Sequence, residues 1–355
     1  MGEGNSSKKW ILWIVSISLV ILCAVGAVIV YIDPYFHYHK PLKEYSYPAK
    51  DAYYMNDGIL RNFDYSAVIT GTSMTENFKT SEAEKLFGGT FVKVPFSGAS
   101  LREINDRLRR AFDSGKSPEI VIRSLDNYSW SRGKDFQNYD YSDMEYFYND
   151  TVLDDAGYVL NCQLLNKYII PFLSDPYRAY PVQFDFDSYC SWDFPNGRQA
   201  VLSHYTHREE ASPETPMTEE DKEKVLANVR QNVSVMTAEH PETVFYYFFP
   251  PMSICAWDTF RADGKLQWML EAEKLIAEEL LSFPNVRLFS FWNNHDLICD
   301  LDNYKDPEHY TAEINSSILK WMKEGEYLLT KESYENYYKD AEDFLLNYDY
   351  SQFSG

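Results

Sequence analysis

A series of short apolar runs, each closed by a glycine, a proline or a polar turn, constrains this chain more than any other feature. They lie at 65–70 (ended by Gly71), 91–96, 119–125, 243–249 (stopped by Pro250 and Pro251) and 286–291. Runs of this length without polar alternation read as strands buried on both faces. Helical periodicity fills the gaps, at 101–112, from Thr218 through Val225, Val229, Val233 and Met236, at 266–281, and at 310–324. Strands alternating with helices connect by right-handed crossovers and build a parallel sheet, so an α/β sandwich with helices on both faces is expected.

Ahead of the first strand, residues 10–32 form an apolar stretch without a charged side chain. A membrane-spanning helix needs roughly 20 such residues. Lys8 and Lys9 precede the stretch and Asp33 follows it. The positive-inside rule therefore predicts a cytoplasmic tail at 1–9, an anchor at 10–32 and everything after Asp33 outside, joined through a juxtamembrane segment at 33–60. A cleaved signal peptide is the rival reading, with Ala24 and Ala27 as small residues, but its apolar region is normally shorter. The formal net charge of −21 argues against a nucleic-acid partner.

Chemistry concentrates at two places. Gly71-Thr72-Ser73-Met74 follows the first predicted strand, and Asp306-Pro307-Glu308-His309 precedes the helix at 310–324. A serine hydroxyl becomes a nucleophile when a neutral imidazole takes its proton, and a carboxylate on the other ring nitrogen fixes the tautomer. Ser73, His309 and Asp306 supply those roles. Thr75 stands where the α/β-hydrolase elbow needs its second glycine, so this is a different kind of serine site. Each residue also has an ordinary structural reading, Ser73 as the cap of a turn and Asp306 as the cap of the following helix. It is their joint order and flanking elements that favour catalysis.

These two blocks resemble the Gly-Asp-Ser-Leu and Asp-x-x-His blocks of the SGNH (GDSL-like) hydrolases. The resemblance implies a three-layer α/β/α sandwich with a central parallel sheet, the nucleophile after the first strand, and no cofactor or metal. It departs from the family at Thr72, where an aspartate is usual. It further implies oxyanion donors after the second and third strands, where Gly98 and Asn127 stand, with Asp126 as the alternative to Asn127. A domain of this type would cover 61–330, followed by a packing helix and tail at 331–355. A single span, the segment Asp33-Pro34-Tyr35-Phe36-His37 and an external domain together resemble a membrane-anchored envelope subgroup similar to the teichoic-acid D-alanylation protein. That likeness implies a serine esterase or O-acyltransferase acting on an envelope polysaccharide or teichoic-acid-like polymer, with a membrane-bound O-acyltransferase as partner. The competing expectation is a non-catalytic anchored binding or assembly subunit of the same fold.

An insertion at 127–215 is crowded with tyrosine, aspartate and phenylalanine. Tyr128, Trp130, Tyr139, Tyr141, Tyr146 and Tyr148 would either offer rings to a sugar or pack the insertion onto the domain. Cys162, Cys190, Cys255 and Cys299 show no metal-ligand spacing, and His204 and His207 have no nearby cysteine or carboxylate at such a spacing. One or two disulfides remain open among those four cysteines.

Overall fold

The structure is a computed structural model that describes residues 3–43, 45–141, 146–149, 151–180 and 182–353. The outermost residues of the expected tails and positions 142–145, 150 and 181 of the tyrosine-rich insertion lie outside the described residues. The chain divides into two compact units, one made of Met1–Phe63 with Asp140–Phe184, the other of Asp64–Tyr139 with Asp185–Gly355.

The larger unit is a three-layer α/β/α sandwich. Its six-stranded sheet has the order β2-β1-β3-β4-β5-β6, with β1 Ala67–Gly71, β2 Phe91–Pro95, β3 Ile120–Ser124, β4 Val244–Phe249, β5 Val286–Ser290 and β6 Leu328–Leu329. The first five pair in parallel, and β6 adds an antiparallel edge to β5. β1 and β2 are buried along their whole length, including Thr70 and Lys93, whose polar groups bond main-chain carbonyls. The chain runs from β1 outward to β2 and then returns to β3 on the other side of β1. Loops leaving β1 and β3 therefore diverge, which opens a crevice at their carboxyl ends.

Capping explains where the helices begin. Ser100 and Glu103 form a reciprocal box at the start of helix Leu101–Asp113, and Thr218 and Asp221 do the same for Glu219–Val229. The latter helix continues through a π-helical turn at Arg230–Ser234 into Val235–Glu239. Val225, Val229, Val233 and Met236 are fully buried along it. Helices Ala52–Asn62, Thr80–Phe87 and Ile254–Ala262 and the two-residue β6 were not expected from the sequence.

In the smaller unit, helix Glu3–Ile32 contains one stretch, Ser7–Ile32, long and apolar enough to cross a membrane. Asp33 follows it in a left-handed conformation, φ 47°. Its buried carboxyl accepts the backbone N–H groups of His37, Tyr38 and His39 and the Tyr158 hydroxyl at 2.7 Å. The Asp33 to His37 segment is thus wound around its own first residue. Of the tyrosine-rich insertion, Tyr141, Tyr146 and Tyr148 belong to this unit, where Tyr141 stacks on Tyr53 and Tyr148 bonds the Tyr53 carbonyl.

The C-terminal helix Tyr334–Asn347 is held by a buried acid. Glu273 accepts from Ser290 at 2.9 Å and Tyr338 at 2.8 Å, and Tyr337 donates to Ser290 at 2.8 Å. Burial drives the Glu273 carboxyl well above its ordinary range, although the two hydroxyls pull the other way. The folded state therefore holds a proton that the unfolded chain releases above roughly pH 4.3. Stability from this group is fully present below that value and is lost as pH rises toward the folded one. Thermal denaturation at pH 5 and pH 8 is expected to show a fall in wild-type Tm that Glu273→Gln reduces; an equal fall in both proteins contradicts this.

Candidate active site

Ser73 sits where β1 leaves the sheet. Gly71, the last residue of β1, has φ 144°, and a Cβ there would come within 2.1 Å of Ser124 Oγ and 2.8 Å of Thr75 Cγ2. Only glycine allows that approach. Residues Ser73–Thr75 then make one 3-10 turn, with the Thr72 hydroxyl accepting from Met74 N and the Thr75 hydroxyl donating to the Thr72 carbonyl at 2.8 Å. Thr75, which breaks the elbow pattern, is thereby a buried staple of the turn.

The structure brings Ser73, His309 and Asp306 into one hydrogen-bonded row. Ser73 Oγ lies 2.8 Å from His309 Nε2, and His309 Nδ1 lies 3.0 and 2.9 Å from the two Asp306 oxygens. With Nδ1–H on the carboxylate, Nε2 presents its lone pair to the serine hydroxyl. Asp306 Oδ1 also accepts the backbone N–H groups of Glu308 at 2.9 Å and His309 at 2.8 Å. Burial alone would raise this carboxyl. The hydrogen bonds and charge of His309, helped by the two backbone donors, outweigh it and hold the group at about 2. Asp306 stays ionised and oriented across the physiological range.

Gly98, Asp126 and Asn127 border the same cavity as Ser73 and His309. Gly98 has φ 69°, and a Cβ there would meet the Tyr139 hydroxyl at 2.7 Å. Its carbonyl accepts Asn138 Nδ2 at 2.9 Å, and the Tyr139 hydroxyl donates to the Ser97 carbonyl at 2.8 Å. The loop is therefore pinned through its carbonyls. The two alternatives after β3 have different surroundings. Asn127 places its amide 3.3 Å from Met252 Sδ, a weak acceptor that leaves the donor available. Asp126 accepts the Ser124 hydroxyl at 2.7 Å, and burial pushes its carboxyl up despite that bond. A carboxyl biased toward its neutral form does not repel a developing oxyanion as a carboxylate would.

Several neighbours went unread in the sequence. Trp192 meets the His309 ring edge-on, centroids 6.2 Å apart, and its backbone N–H is held by Asn77 Oδ1 at 2.9 Å. Lys305 Nζ lies 3.6 Å from the Trp192 centroid and 4.5 Å from that of Phe194, a cation between two rings. Glu76 accepts the Ser97 hydroxyl, which links the serine turn to the Gly98 loop. The only available signal was position, since Lys305 directly precedes Asp306. Of the aromatic candidates in this unit, Trp130 is buried in the cavity wall against Phe249, Tyr139 pins the Gly98 loop, and Tyr128 is 45% exposed at the cavity. His207 Nδ1 lies 2.7 Å from Asp258 Oδ2. Among the described residues no three His, Cys, Asp or Glu side chains gather as a metal site.

No family model and no curated protein matches the chain. Among solved structures, a Streptococcus pneumonia protein provisionally described as a platelet activating factor is similar over 77% of this chain and 89% of its own, at 10% identity and a TM-score of 0.39. So distant a likeness says nothing about the site.

The Gly71 geometry is directly testable. Gly115 also has positive φ, 76°, but nothing lies within 4 Å of a Cβ there. Gly115→Ala is expected to cost about 1 kcal/mol from backbone conformation alone. Gly71→Ala should cost at least about 2 kcal/mol more, because it also displaces Ser124. Urea unfolding of both variants checks the order, and equal losses would refute the crowding argument.

Proposed function

We propose that this protein is a membrane-anchored serine esterase or O-acyltransferase that works through an acyl-enzyme on Ser73. The observation that carries the reading is the row from Ser73 Oγ through His309 to Asp306, with each contact at hydrogen-bond distance. Its place at the crevice between the β1 and β3 loops supports it, because ligands of open α/β sheets bind there. In the reaction, Ser73 Oγ attacks the acyl carbon of an ester while His309 Nε2 takes the hydroxyl proton. The resulting oxyanion is met by the Gly98 backbone N–H and the Asn127 amide. Collapse breaks the ester C–O bond, and His309 returns the proton to the departing alkoxide. An incoming hydroxyl then attacks the Ser73 ester, gives its proton to His309 and releases Ser73, which recovers that proton. Water as the incoming group makes the site an esterase, and a sugar or polyol hydroxyl makes it an acyltransferase.

The substrate in this reading is an envelope polysaccharide or teichoic-acid-like polymer. The apolar stretch Ser7–Ile32 supports a single-pass anchor, and Lys8 and Lys9 ahead of it support a cytoplasmic N-terminus with the catalytic unit outside. A membrane-bound O-acyltransferase is the partner proposed to deliver acyl groups to such a site.

A fluorophosphonate probe on the detergent-solubilised full-length protein is expected to label Ser73. Ser73→Ala and His309→Ala should each lose labelling and turnover with unchanged circular dichroism. Asp306→Asn is expected to lower kcat about 10⁴-fold by reversing the imidazole tautomer, and Asn127→Ala about 10² to 10³-fold. Absence of label on Ser73 in the folded protein would instead favour the non-catalytic binding subunit.

A further inference from the structure

The cavity beside Ser73 has a volume of ≈190 Å³. Its far walls are Leu125, Trp130, Phe249, Met252 and Trp292, all buried to within a few per cent. Their polar atoms are largely withdrawn from the space. Trp292 Nε1 donates to the Pro250 carbonyl at 3.3 Å, and Trp130 Nε1 is sealed from solvent. Trp257 stands behind Trp292 with ring centroids 4.1 Å apart, and both are buried. A close-packed wall of this kind does not recede without cost.

We propose that the acyl group carried on Ser73 is short and free of negative charge, with about two to six carbons. This rests on the serine acyl-enzyme reading above and adds what that enzyme accepts. The upper limit follows from size, since an apolar cavity of about 150 Å³ holds a benzene molecule. Longer chains would have to displace Trp292 or Met252. Charge sets the other limit. No Lys or Arg borders the cavity among the described residues, so a carboxylated acyl group finds no counter-ion there. Two carboxyls, Asp126 and Glu308, line it as well and disfavour a second negative charge. A carboxylate in the cavity would thus lose its water without gaining a cationic partner.

The experiment compares kcat/KM of the full-length protein in detergent for the p-nitrophenyl esters of acetate, butyrate and octanoate and the mono-p-nitrophenyl ester of glutarate, alongside fluorophosphonate labelling of Ser73. Each methylene that fits is expected to raise kcat/KM up to about fourfold between acetate and butyrate. Octanoate and the anionic glutarate ester should fall at least about tenfold below butyrate. Met252→Ala, which opens a wall, should raise the octanoate-to-butyrate ratio several-fold. Intact-mass detection of the acyl-enzyme formed from each ester gives the same ranking without a variant, which covers the case that Met252→Ala does not fold. Labelled Ser73 together with octanoate or the glutarate ester turned over as well as butyrate overturns the acyl inference and leaves the serine mechanism standing. Neither label nor turnover overturns both.

Discussion

The contact between Gly71 and Ser124 is the constraint on which the rest of the candidate site depends. Because Gly71 has no side chain, the Ser124 hydroxyl can occupy the space beside it. There it accepts the Thr72 N–H at 3.3 Å and donates to Asp126 at 2.7 Å. One hydroxyl therefore ties the exit of β1, which carries Ser73, to the exit of β3, which carries Asn127. The position of the nucleophile relative to its proposed oxyanion donor is set by this node and by the parallel register of the two strands, in which Thr70 pairs with Arg123. The positive φ at Gly71 is the local cost of bringing the two exits together.

Beneath that node the fold uses buried cations to hold main chain. Lys93 on β2 donates to the carbonyls of Glu76 at 2.5 Å and Phe78 at 2.8 Å, in the segment just after the serine turn. Arg123 on β3 donates to the carbonyls of Leu101 at 3.0 Å and Asn232 at 3.1 Å. Burial lowers Lys93 to about 8 and Arg123 to about 10, against the pull of nearby acids. A buried charge is tolerable only when its donors are satisfied, and carbonyl oxygens at loop ends are otherwise acceptors in need of partners. Lys93 and two of the three Arg123 nitrogens meet such carbonyls here, while Arg123 Nε is buried without a partner. The result fixes the loop after β1 through Lys93 and the helix that follows Gly98 through Arg123, so that both sides of the crevice are braced from below.

Five strands were legible because each is a short run dominated by apolar residues and closed by a turn, although Lys93, Arg123 and Arg287 interrupt three of them. β6 was not, since Leu328 and Leu329 form an edge too short to show a pattern. Helix Ala52–Asn62 carries Asn56, Asp57 and Gly58 among its buried residues, which reverses the polarity that sequence periodicity looks for. Gly58 is needed there because a Cβ would meet the Phe36 carbonyl oxygen at 2.3 Å. In the candidate site, Ser73, His309 and Asp306 were legible as short motifs beside predicted elements. Trp192, Lys305 and Glu76 were not, because their roles arise from approaches across the fold. The 127–215 segment read as one insertion, yet its parts 127–139 and 185–215 stay with the sheet unit while 140–184 groups with the N-terminal residues. Composition, being uniformly aromatic and acidic, gives no mark at either boundary.

The two sides of the proposed catalytic row differ in a way that bears on hydrolysis against transfer. The cavity beside Ser73 is walled by buried rings and a thioether, so in the proposed reaction a group on Ser73 would be held by exclusion of water and by shape. On the side of Trp192, the Lys305 ammonium fills the space between Trp192 and Phe194, and Phe194 remains 55% exposed. Burial lowers the Lys305 ammonium while the neighbouring Asp306 and Glu76 carboxyls work against that. In the proposed reaction an acceptor approaching His309 from this side would meet an aromatic face and a cation. Transfer prevails over hydrolysis only if an acceptor hydroxyl binds this rim well enough to occupy the position from which His309 removes a proton. If the proposed reaction holds, the cavity beside Ser73 governs which group is taken, and the surface around Trp192 and Lys305 governs what receives it.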